Sequence, residues 1–322
     1  MLKRKEYLLI LLIVLVSMVV SSAVMASAPS RISVSTGGTG GTYYPLGTAI
    51  ANTLQEHLDI YATAESTGGS VENARYLNRG ETDIAFVESI VADWAYNSGN
   101  MFKEDEPAEN IRGFLSLYPN VMQTIVKTGS GINSYADLKG KRVAVGVAGG
   151  STPFNMEVVL EAYGVDWDEI QPEYLGYTQS MDLLKDDRVD AVLVDAAPPN
   201  ASIMDIEAMH DIKILEIEED KIAKINEKYP FFSPPVVIPG GTYSSIEEDI
   251  TSTGSVACLF TRAELPEEFV YNLLKTIFEN RNEIVSKHEA GKSIQLESSL
   301  NAISVPMHPG ALKFYKEKGI VE

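Results

Sequence analysis

Two carboxylates, Glu88 and Asp195, carry the chemistry this sequence offers. Each closes a short apolar run, Asp83-Ile84-Ala85-Phe86-Val87-Glu88 in one case and Asp190-Ala191-Val192-Leu193-Val194-Asp195 in the other. Two acids facing one another across a cleft could work as a hydrolytic pair, as in glycosidases. The same pair could instead orient a ligand's amino group. Complementary chemistry comes from two glycine-rich stretches, Gly37 to Pro45 and Gly149-Gly150-Ser151-Thr152-Pro153. Each leads into a helical pattern with proline in its first turn, where the missing N–H removes a donor that would be unpaired anyway. The free N–H groups of such a helix start, with the positive end of its dipole, favour a carboxylate or phosphate. One helix end contributes about 0.3–1 kcal/mol when exposed and up to about 2 when partly buried. A useful site therefore needs convergent partners.

Other chemistries lack their residues. Neither glycine cluster is followed by Lys-Ser or Lys-Thr at P-loop spacing, and Tyr43 stands where the third glycine of a dinucleotide fingerprint belongs. His57, His210, His288 and His308 are scattered, so neither a metal nor a cofactor is expected. No G-x-S-x-G elbow is present. The single Cys258 excludes an intramolecular disulfide, and its apolar run, Val256 to Phe260, predicts a buried, inert thiol. A formal net charge of −19 argues against nucleic acid and anionic membrane surfaces as partners. Any anion must be held by local dipoles and hydrogen bonds.

The elements that must position these groups alternate strand and helix, which predicts an α/β fold. Ile32 to Val34 reads as a strand feeding the first glycine loop, and Leu46, Ala49, Ile50 and Leu54 mark the helix leaving it. Ile60 to Glu65 reads as a strand, and Ser70 as the N-cap of a helix closed near Gly80. Ile111 to Val126 contains Pro119, which suits an edge or a crossover better than a central strand. Pro230 to Gly241, rich in proline and glycine, reads as the return connection between domains. One long helix is expected from Pro266 to about Val285.

A long internal repeat links the two halves. Asp83 and Asp190 are 107 residues apart, and Pro45 and Pro153 are 108 apart, so both acids and both glycine turns recur together. With 322 residues, 45% of them hydrophobic, the chain can build two similar α/β lobes. Ligands of open α/β sheets sit beyond the carboxyl ends of the parallel strands. Two facing lobes would then point both helix starts and both acids into one cleft, as in a clamshell. Ahead of them, Lys3-Arg4-Lys5, the apolar Tyr7 to Val20 and Ala26-Ser27-Ala28 read as an export signal over residues 1–28, with a retained anchor as the alternative.

Several motifs, in order, resemble the TAXI family of solute receptors of tripartite TRAP transporters. They are Ser35-Thr36-Gly37-Gly38-Thr39-Gly40-Gly41-Thr42-Tyr43-Tyr44-Pro45-Leu46-Gly47, Gly69-Ser70-Val71-Glu72-Asn73, Gly80-Glu81-Thr82-Asp83-Ile84-Ala85, and His308-Pro309-Gly310-Ala311 with Tyr315. The resemblance implies a two-lobed periplasmic-binding-protein type II fold, with residues 29–127 and 234–322 in lobe 1 and 128–233 in lobe 2. It implies an extracytoplasmic, non-enzymatic protein that captures a small amino acid or carboxylate, glutamate- or glutamine-like or a dicarboxylate. It also implies delivery to TRAP membrane permease subunits. Its pocket would use Gly41, Thr42, Tyr43, Tyr44, Ser70 and Asn73 from lobe 1, and Ser151, Thr152, Asn155 and the region of Asp195 from lobe 2. One position departs: such sequences often carry an amide where this one has Glu88, and a carboxylate there favours an amine over a free carboxylate. A secreted hydrolase using Glu88 and Asp195, and a sensory receptor domain, are the alternative expectations.

Overall fold

Burial alternates along β1 (Arg31–Ser35), with Ile32 and Val34 inside, and the apolar stripe of α1 (Tyr43–His57) packs on it through Leu46, Ile50 and Leu54. The computed structural model describes residues 29–322, so the leader read over residues 1–28 lies outside the described residues. The chain continues through β2 (Tyr61–Glu65), α2 (Ser70–Arg79), the fully buried β3 (Ile84–Glu88) and α3 (Ser89–Asn97). Gly80 ends α2 in the left-handed region, φ 70°, which glycine reaches without a steric cost. The N-cap of α2 is Gly69 rather than Ser70, because Ser70 is already helical.

A long strand, β4 (Ile111–Lys127), then crosses to the second half. There the order is β5 (Arg142–Ala144), α4 (Thr152–Ala162), β6 (Gln171–Glu173), α5 (Tyr177–Lys185) and β7 (Ala191–Ala196). After these come α6 (Ala201–Glu207), β8 (Ile212–Leu215), α7 (Glu219–Lys228) and the small antiparallel pair β9 (Val236–Ile238) and β10 (Ile250–Ser252). The chain closes with β11 (Gly254–Arg262), α8 (Glu267–Glu279), α9 (Arg281–Lys287) and α10 (Pro309–Glu317).

The main sheet runs β2-β1-β3-β11-β4-β7-β5-β6, with β8 paired to the far end of β4. In each half the three repeat strands are parallel and stand in the order second, first, third, so the sequence repeat coincides with a repeat of topology. The antiparallel β4 and β11 join the halves. Both faces are covered, as parallel sheets require. In the first half α1, α8 and α10 cover one side, and Val71, Leu77 and Trp94 cover the other. Two further apolar clusters flank the second half. Each fully buried Leu, Ile or Phe in them contributes about 1.5–3 kcal/mol of transfer free energy.

Three expectations are corrected. Pro119 lies in a central strand, not at an edge, and it is tolerated because its partner β11 slips register just beyond Val256, where a missing N–H breaks no regular ladder. Pro230 to Gly241 does not make the return. Ile238, Tyr243 and Ile246 still pack with Val192 and Val194 of the second half, and the chain crosses back only through β10 and β11. The single long helix after Pro266 is two, α8 and α9, broken at Asn280, whose side-chain amide donates to the Thr276 carbonyl four residues back. Among the described residues no helix is long and apolar enough to cross a membrane.

Candidate functional site

Glu88 ends β3 and Asp195 sits at the end of β7, so the parallel strands of the two halves deliver their acids toward one place. Both are buried, with 2% and 6% of their surface exposed. The Ser151 hydroxyl donates to Glu88 Oε1 at 2.6 Å. The Asn155 amide nitrogen donates to Asp195 Oδ2 at 2.5 Å and lies 3.4 Å from Glu88 Oε2, so one amide touches both carboxylates. On the other side the Glu88 backbone N–H donates to the Ser70 hydroxyl at 3.0 Å. Asp195 Oδ1 is buried with no hydrogen-bond partner. Burial, and then the charge of Glu88, hold the Asp195 carboxyl well above the usual carboxylate range.

Two tyrosines flank the acids. Tyr43 stacks on Phe86 at 4.9 Å between centroids, and its hydroxyl accepts from the Asn120 amide at 2.8 Å. The Tyr177 hydroxyl donates to the Asp195 carbonyl at 3.1 Å, accepts its N–H at 3.2 Å, and lies 3.2 Å from Thr152 Oγ1. Burial pushes both phenols up, with Glu88 adding to it for Tyr43 and Asp195 for Tyr177, so both are neutral donors and acceptors.

These groups enclose a cavity of about 70 Å³. Four helices begin in its wall: α1 after Thr42, α2 after Gly69, α4 after Ser151 and α5 after Gly176. Among the described residues that line it there is no Lys, Arg or His. The wall therefore presents two acids, hydroxyls and the positive ends of helix dipoles, and it can receive a ligand carrying both an anionic and a cationic group.

Contacts across the cleft close it. The Gly40 carbonyl accepts from Asn200 Nδ2 at 3.1 Å and Ser202 Oγ at 3.0 Å, at the start of α6. A Cβ on Gly150 would lie 3.0 Å from the Gly68 carbonyl, so the two glycine loops approach backbone to backbone. Trp94 of α3 meets Phe154 of α4 edge-on at 4.9 Å and Phe231 at 5.0 Å.

Of the residues expected from sequence, Gly41, Thr42, Tyr43, Ser70, Glu88, Ser151, Thr152 and Asp195 line the cavity together. Asn155 lies behind the wall as the bridge between the acids. Asn73 is elsewhere: its amide donates to the Thr36 and Phe86 carbonyls at 2.6 and 2.7 Å and braces β1 against β3. Tyr44, half-buried in the first turn of α1, does not reach the cavity. Asn120, Val147, Gly68 and the pair Gly176-Tyr177 complete the lining without having been expected. The repeat contained the signal for the last pair, since 107 residues beyond Gly69-Ser70 stand Gly176-Tyr177. Cys258 is buried, and burial pushes its thiol up to about 12, so it takes no part. His308 is an N-cap, with Nδ1 accepting from the Gly310 N–H at 3.1 Å.

The sequence profile of the NMT1-like family matches residues 34–319. Among solved structures, PhnD1 from Prochlorococcus marinus (MIT 9301), in complex with methylphosphonate, superposes with a TM-score of 0.56 at 10% identity, over 91% of this chain and 100% of that one. The alkanesulfonate-binding protein SsuA from Xanthomonas axonopodis pv. citri, bound to MOPS, gives 0.49 at 15% identity over 90% and 84%. The periplasmic aliphatic sulphonate binding protein SsuA from Escherichia coli gives 0.46 at 13% identity over 90% and 79%. The paired halves, the crossing strands and the first of these likenesses make the fold that of a two-lobed periplasmic binding protein.

Proposed function

We propose, from the premise that the chain belongs to the NMT1-like family, that it is an extracytoplasmic solute-binding protein that captures a small amino acid between its lobes. The observation that carries this reading is the lining itself: four helix starts and two buried acids, with no cationic side chain among the described lining residues. The ligand's α-carboxylate would lie on the N–H groups at the starts of α1, α2 and α4. Thr42, Ser151 and Thr152 would fix its orientation, and Asp195 Oδ1 with Glu88 would take its ammonium group. At about 10–15 Å³ of such volume per water, the cavity holds on the order of five waters, which suits a ligand of amino-acid size. Micromolar affinity corresponds to about −8 kcal/mol, which several charge-assisted hydrogen bonds and closure of the cleft can supply together.

Delivery to the permease subunits of a TRAP transporter is part of the proposal, and it is supported by the resemblance of the glycine-rich and His-Pro-Gly motifs. Hydrolysis is disfavoured, because Ser151 and Asn155 already occupy the oxygens that an acid and base pair would need free. A second reading, an organic phosphonate or sulfonate, draws on the helix starts and on the names of the structural relatives. Two acids without a compensating cation oppose a dianion.

Titration calorimetry across amino acids, dicarboxylates and methylphosphonate tests the proposal. Heat from amino acids with an α-ammonium group is expected, with methylphosphonate silent. Silence from every amino acid would overturn the zwitterion reading, and saturable heat from methylphosphonate alone would install the second.

A further inference from the structure

We propose that Glu88 and Asp195 hold one proton between them before a ligand arrives, and that a ligand's ammonium group displaces it, so that capturing an amine releases a proton to solvent. The second half of this statement rests on the amino-acid reading above; the first half does not.

The argument starts from geometry. One amide nitrogen, that of Asn155, reaches an oxygen of each carboxylate, which puts two acids from opposite lobes into one buried site. The groups facing them are Tyr43 from α1, Ser70 from α2, Ser151 and Thr152 from α4 and Tyr177 from α5. None of these carries a positive charge, and both tyrosines are neutral. Two like charges this close, out of water, are not both ionised, and the pair titrates as a unit. The dipole ends of α2 and α4 can hold one negative charge, which leaves the second to be cancelled. Asp195 Oδ1 is the place for the cancelling hydrogen: it is buried and without a donor, so a carboxyl proton or an ammonium N–H completes it. The upward shift of Asp195, from burial and from Glu88, agrees. Charge balances in the exchange: the carboxyl loses its proton to solvent, and the ammonium ion brings one positive charge in.

The sign follows from linkage. A carboxyl whose folded pKa is raised contributes stability that is fully present below the unfolded value of about 3.9 and is lost as pH rises through the folded value. Two measurements test the proposal on the full chain. Without any ligand, denaturant unfolding from about pH 4 to about pH 8 should show the folding constant of the wild type falling with pH by up to about tenfold per unit more than that of Asp195→Asn or Glu88→Gln. Parallel profiles would overturn the shared proton. Should either variant fail to fold, infrared spectroscopy of the wild type alone decides, since a protonated buried carboxyl gives a carbonyl band at neutral pH and an ionised pair gives none.

The second measurement is calorimetry with L-alanine and L-glutamate in buffers of different ionisation heat. One proton released per amino acid bound is expected, and succinate should release none. Binding heat with no proton released would overturn the displacement while leaving the amino-acid reading intact. No heat from either amino acid would count against that reading, and the ligand-free arm would still decide the shared proton.

Discussion

Glu88 can be changed by one atom. Glu88→Gln keeps an oxygen for the Ser151 hydroxyl to donate to, and removes the negative charge. A hydrogen bond to a charged group contributes about 1.5–3 kcal/mol. An amine ligand should therefore bind roughly 10- to 150-fold more weakly, while a dicarboxylate should gain. Calorimetry on both ligand types in wild type and variant checks this, and an unchanged ranking would mean that Glu88 does not face the ligand. The acids were legible in the sequence because each ends an apolar run, and such a run predicts a buried strand whose carboxyl end opens on a cleft. Asn120 was not legible. Its neighbours in β4 are apolar, and only the crossing of that strand between the halves brings its amide to Tyr43. Asn73 looked like a pocket residue from its position near a helix start, yet its three polar contacts are with Thr36, Phe86 and Thr67.

At the level of elements, the glycine loop before α1 does two jobs. It lines the cavity through Gly41 and Thr42, and through the Gly40 carbonyl it docks on the start of α6 in the other half. A Cβ at position 40 would lie 2.5 Å from Thr178 Oγ1 and 3.1 Å from the Thr178 backbone nitrogen, so turning a side chain does not clear it. The clash exists only with the cleft closed. Gly40→Ala should hold the lobes apart at an overpacking cost of about 1–3 kcal/mol, which is roughly five- to 150-fold in ligand affinity. Unfolding of the unliganded chain should be unchanged. Calorimetry paired with small-angle scattering checks both, and wild-type affinity with full compaction on ligand addition would remove the latch from the closing mechanism. The pairing of loops was legible through the 107-residue repeat, which also pointed to Gly176-Tyr177. The return path was not legible. Proline and glycine mark a turn wherever it lies, and the turns around β9 carry as many as a domain crossing would.

At the scale of the whole molecule, charge and fold act on different stages of binding. The formal charge of −19 acts over the distance of a diffusing ligand, whereas the helix starts act only within the cavity. A dianion must therefore approach against the field before any dipole can hold it. A zwitterion has no net charge and approaches freely. The Debye length falls from about 30 Å at 0.01 M salt to about 8 Å at physiological ionic strength. Across that range the association rate of succinate or methylphosphonate should rise, since screening removes the repulsion. The association rate of an amino acid with an uncharged side chain should stay level, and that of glutamate should rise less than succinate's. Stopped-flow following tyrosine and tryptophan fluorescence reads these rates, because Tyr43 and Tyr177 line the cavity and Trp94 sits in the closing contact. A salt-insensitive dianion would mean that the surface charge lies away from the cleft mouth. In that case selection for a zwitterion would fall entirely to Glu88 and Asp195.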